Sequence, residues 1–317
     1  MNDPAALPER LAKAALSSDL IRRADQIAEA AHAGQFRKDE ETPYIDHPRC
    51  VAEWFLDYAE RRQLSPEDID QGVCAALLHD VVEDTQTTAA DLKQAFPHPR
   101  MLELIALLTK SDTTTSAPAR YYEQIAGDPS AVVLKTCDRI ANLYDAAALP
   151  DTLENRAFWR KYARKSEAFV ERLVRSDTIL GGELSRALYV VRTRIALTDP
   201  WCLLVGSGGF LGVNFYLINN TDAPLESVRS KAEGWMTLDD NLVQTAPKYE
   251  QLGDVPPHDS KEIGMDEPGG YIRYDLEFHH AGSDVEVSFA VDPDQWYFPR
   301  CDVGRLCGIV LPARNSA

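Results

Sequence analysis

The chain has 317 residues, 33 Lys and Arg against 50 Asp and Glu, and a formal net charge of −17. Its 44% hydrophobic and 26% charged content is that of a globular protein. The acid surplus argues against a duplex nucleic-acid partner, and no run reaches the roughly 18 apolar residues of a membrane span.

The length suggests two domains. Six cysteines without a CxxC pair, and an N-terminus with no basic-then-apolar leader, point to thiols in a reducing cytoplasm rather than a disulfide framework. Taken in chain order, Ile21, Ala24, Ile27, Ala28 and Ala31 recur at helical spacing, and Gly34 is expected to cap that helix. After the turn-like KDEETPYID, His47-Pro48 opens a second helix with Val51, Phe55 and Tyr58 along one side. Ser65-Pro66-Glu67-Asp68 starts a third, which runs into the apolar stretch Val73–Leu78. Further helices are predicted near 100–109, 118–126, 130–147, 156–175 and 181–197.

Beyond Thr198-Asp199-Pro200 the character changes. Residues 1–199 carry 25 Lys and Arg against 32 Asp and Glu; residues 200–317 carry 8 against 18, with 12 of the 17 glycines. FLGVNFYLIN, YIRYDLEFHH, VEVSFAV and CGIVLP read as strands separated by turn signals. The second strand alternates, with Ile272, Tyr274, Leu276 and Phe278 on one face. The expected fold is therefore an all-helical domain, 1–199, followed by a mostly antiparallel β-sandwich, 200–317. Asn219-Asn220-Thr221 fits a glycosylation sequon but reads more simply as a turn, and Trp235, Trp296, Tyr297 and Phe298 read as core. Cys301 and Cys307 read as unbridged thiols. No catalytic constellation stands out in the β part. A binding, docking or oligomerisation role is expected of it.

Chemistry concentrates in Leu77-Leu78-His79-Asp80-Val81-Val82-Glu83-Asp84. Adjacent His79 and Asp80 can reach one metal ion. In a continuous helix, Glu83 and Asp84 lie one turn further on the same face. A solvated helix end is the plainer reading of this segment alone. Two other segments favour a site. His47 starts a helix, and Asp138 sits in the apolar AVVLKTCDRIANL with Asn142 four residues on. Two imidazoles and two carboxylates suit Mn²⁺ or Fe²⁺ with open water positions, and such an ion can activate water and polarise a phosphoryl oxygen. Lys135, one turn before Asp138, reads either as a phosphate contact or as a solvated lysine snorkelling off its helix.

The order His47, His79-Asp80, Asp138 resembles the signature of HD-domain phosphohydrolases. AHAGQFRK, PYIDHPRCVA, AALLHDVVEDTQTT, LTK and VVLKTCDRIANL resemble, in this order, the hydrolase domain of the RelA/SpoT alarmone enzymes, nearest their stand-alone small hydrolases, across about residues 20–195. The resemblance implies that His47, His79, Asp80 and Asp138 bind Mn²⁺, with Co²⁺ also suited to the set. It implies that Glu83 and Asp84 position water and handle protons, and that Arg37, Lys38 and Asn142 contact the nucleotide. The implied reaction is hydrolysis of the 3′-pyrophosphate of ppGpp or pppGpp, with ppApp, NADPH or a 3′-pyrophosphorylated RNA end as neighbouring substrates. A nucleotide sensor with output through the β part is the non-enzymatic reading. Tyr144, Asp145 and a charged loop without glycine after Lys38 depart from the family pattern.

Overall fold

A computed structural model describes residues 7–110, 117–169, 178–207, 213–238, 241–266, 271–291, 301–303 and 306–312. Contacts divide the chain into two compact units. One comprises Met1–Pro150 with Tyr162–Leu188, the other Asp151–Lys161 with Tyr189–Ala317.

The first unit is helical. Its elements are α1 (Glu9–Ser17), α2 (Asp19–Ala31), α3 (Asp46–Arg62), α4 (Pro66–Leu78), α5 (Val81–Asp84), α6 (Ala89–Ala95), α7 (Pro99–Leu108), α8 (Ala117–Ala126) and α9 (Pro129–Ala148). Two longer helices, α10 (Leu153–Phe169) and α11 (Thr178–Thr198), are shared between the units. The centre is α4, whose residues from Gly72 to Leu78 are all buried against α2, α3, α7 and α9. Ser65 Oγ caps it by accepting from the Asp68 N–H at 3.2 Å, with Pro66 in the first turn.

Small residues let the neighbours of α4 come close. A Cβ on Gly72 would run into the ring of Phe55, which is itself buried on α3. Gly72→Ala is therefore expected to destabilise the chain by about 1–3 kcal/mol, as overpacking does. A thermal midpoint matching that of the parent chain would contradict this.

Three local features differ from expectation. Helix α2 ends at Ala31 with His32 as its C-cap, so Gly34, at φ 79°, belongs to the turn beyond and is not the cap. The helix through Leu78 does not continue unbroken to Asp84. His79 Nδ1 donates to the Ala76 carbonyl at 2.8 Å, which a continuing helix would give to the Asp80 N–H, and α5 starts afresh at Val81. The unanticipated α6 is held by a capping box between Thr88 and Asp91.

The second unit contains two five-stranded sheets in which the paired strands run antiparallel. The strands are β1 (Trp201–Ser207), β2 (Val213–Asn219), β3 (Leu225–Leu238), β4 (Asn241–Gln244), β5 (Lys248–Val255), β6 (Ser260–Asp266), β7 (Tyr271–His280), β8 (Ser283–Val291), β9 (Cys301–Val303) and β10 (Leu306–Pro312). The first sheet runs β6-β2-β1-β10-β9. The second runs β4-β3-β7-β8, with β5 also on β3. Phe215 and Leu217 of the first sheet share one core with Tyr274, Leu276, Phe278 and Phe289 of the second, which makes a sandwich. On β7 the expected face, Ile272, Tyr274, Leu276 and Phe278, is the buried one.

Asn219 is fully buried and donates to the carbonyls of Ala223, Val255 and Pro256, so it serves a turn. Trp235 is half-buried against Tyr271, with ring centroids 5.0 Å apart. Trp296, Tyr297, Phe298 and the side chains of Cys301 and Cys307 lie outside the described residues.

Candidate active site

Three segments of the helical unit converge. His47 lies in the first turn of α3, His79 and Asp80 at the break between α4 and α5, and Asp138 midway along α9. Ligand atoms of His47, His79 and Asp80 all lie within 4.8 Å of one another. Asp138 Oδ1 is 3.2 Å from His47 Nε2 and 3.8 Å from His79 Nε2; Asp80 Oδ2 is 3.7 Å and 3.0 Å from the same atoms. Both Nε2 atoms are buried without a hydrogen-bond partner. The Nδ1–H of His79 is committed to Ala76, which leaves Nε2 as the ring atom facing the carboxylates. Such orphaned atoms are costly in an interior unless something binds them, and a divalent cation suits this donor set.

Electrostatics agree. Burial holds the His47 ring below its ordinary value, against the pull of Asp138. Burial acts on His79 in the same sense, but Asp80 and Asp138 outweigh it and push that ring up to about 10. Burial likewise opposes ionisation of Asp80 and Asp138. Even so, His79 beside Asp80 and Lys135 beside Asp138 hold both carboxyls below the usual range. The cluster draws positive charge to itself.

Around the four groups lies a shell of polar side chains. Lys135 is buried, with Nζ 2.6 Å from Asp138 Oδ2. The solvated, snorkelling lysine is therefore not what the fold contains. Asn142 Nδ2 donates to Asp138 Oδ1 at 2.5 Å, so each Asp138 oxygen is oriented by its own helix. Tyr44 places its hydroxyl 2.9 Å from Asp80 Oδ2 and 3.0 Å from Asp84 Oδ2. Burial, then the charges of Asp80 and Asp84, hold this phenol far above its ordinary value, so it stays a donor. Its ring stacks on buried His32, whose Nδ1 is 2.8 Å from Gln35 Oε1.

Of the remaining expected residues, Arg37 and Asp84 contact side chains of this shell. Arg37 Nη2 donates to Asn142 Oδ1 and to Asp145 Oδ2, both at 2.7 Å, and its guanidinium lies 5.3 Å from the centre of the Tyr44 ring. Lys38 is exposed on the adjoining loop. In that loop Glu40 takes φ 63°, where a glycine would relieve the backbone. Glu83 and Asp84 diverge. Asp84 keeps the helical bond from its N–H to the Asp80 carbonyl and shares Tyr44 with Asp80, whereas Glu83 turns to Lys110.

Sequence reasoning missed Tyr44 and the pairing of Asp145 with Arg37. Tyr44 lies three residues before His47, yet nothing in its spacing sets it apart. The Asp145 contact joins residues 108 apart in sequence. Tyr144, flagged beside Asp145, instead stacks on Trp54, with the rings 4° from parallel.

The chain matches the HD domain family over residues 24–164. It is 33% identical over 179 residues to the guanosine-3′,5′-bis(diphosphate) 3′-pyrophosphohydrolase MESH1 of Xenopus tropicalis, covering 53% of this chain and 94% of that protein. It is 37% identical over 129 residues to a protein of the same enzyme name from Aquifex aeolicus, covering 39% of this chain and 17% of that one. A probable GTP pyrophosphokinase of Mycobacterium leprae is 34% identical over 159 residues, covering 48% of this chain and 18% of its own. The chain thus spans less than a fifth of the length of these two bacterial relatives. The HD-domain match, together with a relative matched over nearly its whole length, places this chain in the family of HD-domain hydrolases that includes MESH1 and the RelA/SpoT enzymes.

Proposed function

We propose that this chain is a (p)ppGpp 3′-pyrophosphohydrolase, releasing pyrophosphate from ppGpp or pppGpp to leave GDP or GTP. The observation that carries the reading is the pair of orphaned Nε2 atoms facing Asp80 and Asp138, with Glu83 and Asp84 one turn away. His47, His79, Asp80 and Asp138 would hold one divalent ion, Mn²⁺ in this reading. Such an ion supplies charge to offset a polyphosphate and makes water acidic enough to act near neutral pH. Asp80 and Asp138 hold their ligating oxygens through Tyr44, Lys135 and Asn142. Glu83 and Asp84 orient the attacking water and move its proton. Arg37 and Lys38 receive the nucleotide, the flat guanidinium of Arg37 stacking on the base.

Arg37→Ala is expected to raise KM with little change in kcat. A stacked cation contributes up to about 2 kcal/mol, so a rise of roughly 30-fold or less is expected. Steady-state kinetics check this, and a loss confined to kcat would remove Arg37 from the binding role. The division at 199/200 and a docking or oligomerisation role for the β-sandwich belong to the same proposal. So does a reducing cytoplasm, which suits the free thiols of Cys50, Cys74, Cys137 and Cys202. Among the described residues no helix is long and apolar enough to cross a membrane.

The direct test of the reaction is pyrophosphate release from ppGpp with added Mn²⁺. ppApp and NADPH serve as competing substrates.

A further inference from the structure

Glu83 is held by two atoms of a single residue. Lys110 Nζ lies 3.0 Å from Oε1, and the Lys110 N–H donates to Oε2 at 3.1 Å. Backbone and side chain of one lysine thus hold both oxygens of the carboxylate. The backbone at that point is itself fixed. Lys110 follows Thr109, the C-cap of α7, whose N–H and hydroxyl both return to the Ile105 carbonyl at 3.0 and 2.8 Å. Helix α7 is anchored through buried Met101, Leu104, Ile105 and Leu108. The Leu108 carbonyl accepts from the buried Tyr121 hydroxyl at 2.7 Å.

Tyr121 links this arm to the other half of the site. Lys110 Nζ lies 5.8 Å from the centre of its ring, and Lys135 Nζ, bonded to Asp138, lies 5.7 Å from the same centre. A single aromatic ring therefore contacts the ammonium that holds Glu83 and the ammonium that holds Asp138.

We propose that Lys110 is a positioning residue, whose ammonium and amide fix the Glu83 carboxylate relative to the metal-ligand cluster. This rests on the reading of Glu83 as the group that orients water and handles protons. The Lys110 side chain is 53% exposed, so the pair adds little to folding stability. Its effect lies in orientation, where a misplacement of about 1 Å can cost about 100-fold in rate.

Four proteins test it: the parent chain, Lys110→Ala, Glu83→Ala and the double variant, each assayed on ppGpp with Mn²⁺. Lys110→Ala keeps the backbone bond and loses Nζ. It is expected to lower kcat about 10- to 100-fold with KM, Mn²⁺ affinity and thermal midpoint unchanged. Lys110→Arg, or added methylammonium, should restore part of the loss. In the Glu83→Ala background, Lys110→Ala should cost nothing further, because its action passes through Glu83. A kcat for Lys110→Ala within twofold of the parent would overturn the proposal. So would a loss expressed wholly in KM, which would make the ammonium a substrate contact, or an additive double variant. If the parent chain itself releases no pyrophosphate, the reading of the reaction fails, and the role of Lys110 fails with it.

Discussion

Asp80→Ala is expected to abolish metal binding and turnover together. Asp80 Oδ2 is the atom on which the cluster closes, 3.0 Å from His79 Nε2, 3.7 Å from His47 Nε2 and 2.9 Å from the Tyr44 hydroxyl. Without it, two buried imidazole nitrogens face a single remaining carboxylate, Asp138, whose other oxygen is already bonded to Lys135. The negative charge that offsets a dication is halved, and the Tyr44 hydroxyl turns to Asp84 alone. Loss of a metal-activated nucleophile should lower kcat/KM by at least about 10³-fold, with no measurable Mn²⁺ uptake by calorimetry. Retention of tight Mn²⁺ binding in this variant would remove Asp80 from the ligand set.

Glu83→Ala is expected to separate the two properties that Asp80→Ala removes together. Both Glu83 oxygens are engaged by Lys110, so the metal site should remain intact and bind Mn²⁺ as the parent does. General acid–base contributions are worth about 10²–10⁴-fold, and kcat should fall within that range. Substrate binding through Arg37 is untouched, so KM should stay near the parent value. Calorimetry beside steady-state kinetics gives both numbers from one preparation. An emptied metal site in Glu83→Ala would make Glu83 a ligand and would reverse the division of roles argued for the acidic pair.

Much of the helical unit is legible in the sequence because its signals are local. Ser65-Pro66, the apolar spacing of α2 and the long apolar α9 each declare themselves within a few residues. The capping box Thr88-x-x-Asp91 is equally local and could have revealed α6. The break at His79 could not be read, because it coincides with a ring nitrogen taking a carbonyl three residues back. In the β unit, β7 alternates strictly and is legible. β3 is not: its inward positions include Ser230, Ala232 and Gly234, too small and polar to give an apolar period, opposite charged Arg229, Lys231 and Glu233.

The site divides in the same way. His47, His79-Asp80 and Asp138 could be proposed as a set from their chemistry and order along the chain. What orients them could not. Lys135 reads either as a phosphate contact or as a surface lysine until packing buries it, and Tyr44 acquires its partners only when residues 36 and 40 positions away come to it. The Lys110–Glu83 pair spans 27 residues and the Arg37–Asp145 pair spans 108. Contacts of that range follow from the fold alone.

The measurement that bears most directly on the account is metal-dependent pyrophosphate release from ppGpp, with Mn²⁺ against EDTA and against Asp80→Ala. Release is expected with Mn²⁺, none with EDTA, recovery when Mn²⁺ is restored, and none from Asp80→Ala. Bound Mn²⁺ with no release from ppGpp, or release that persists in EDTA, would contradict it.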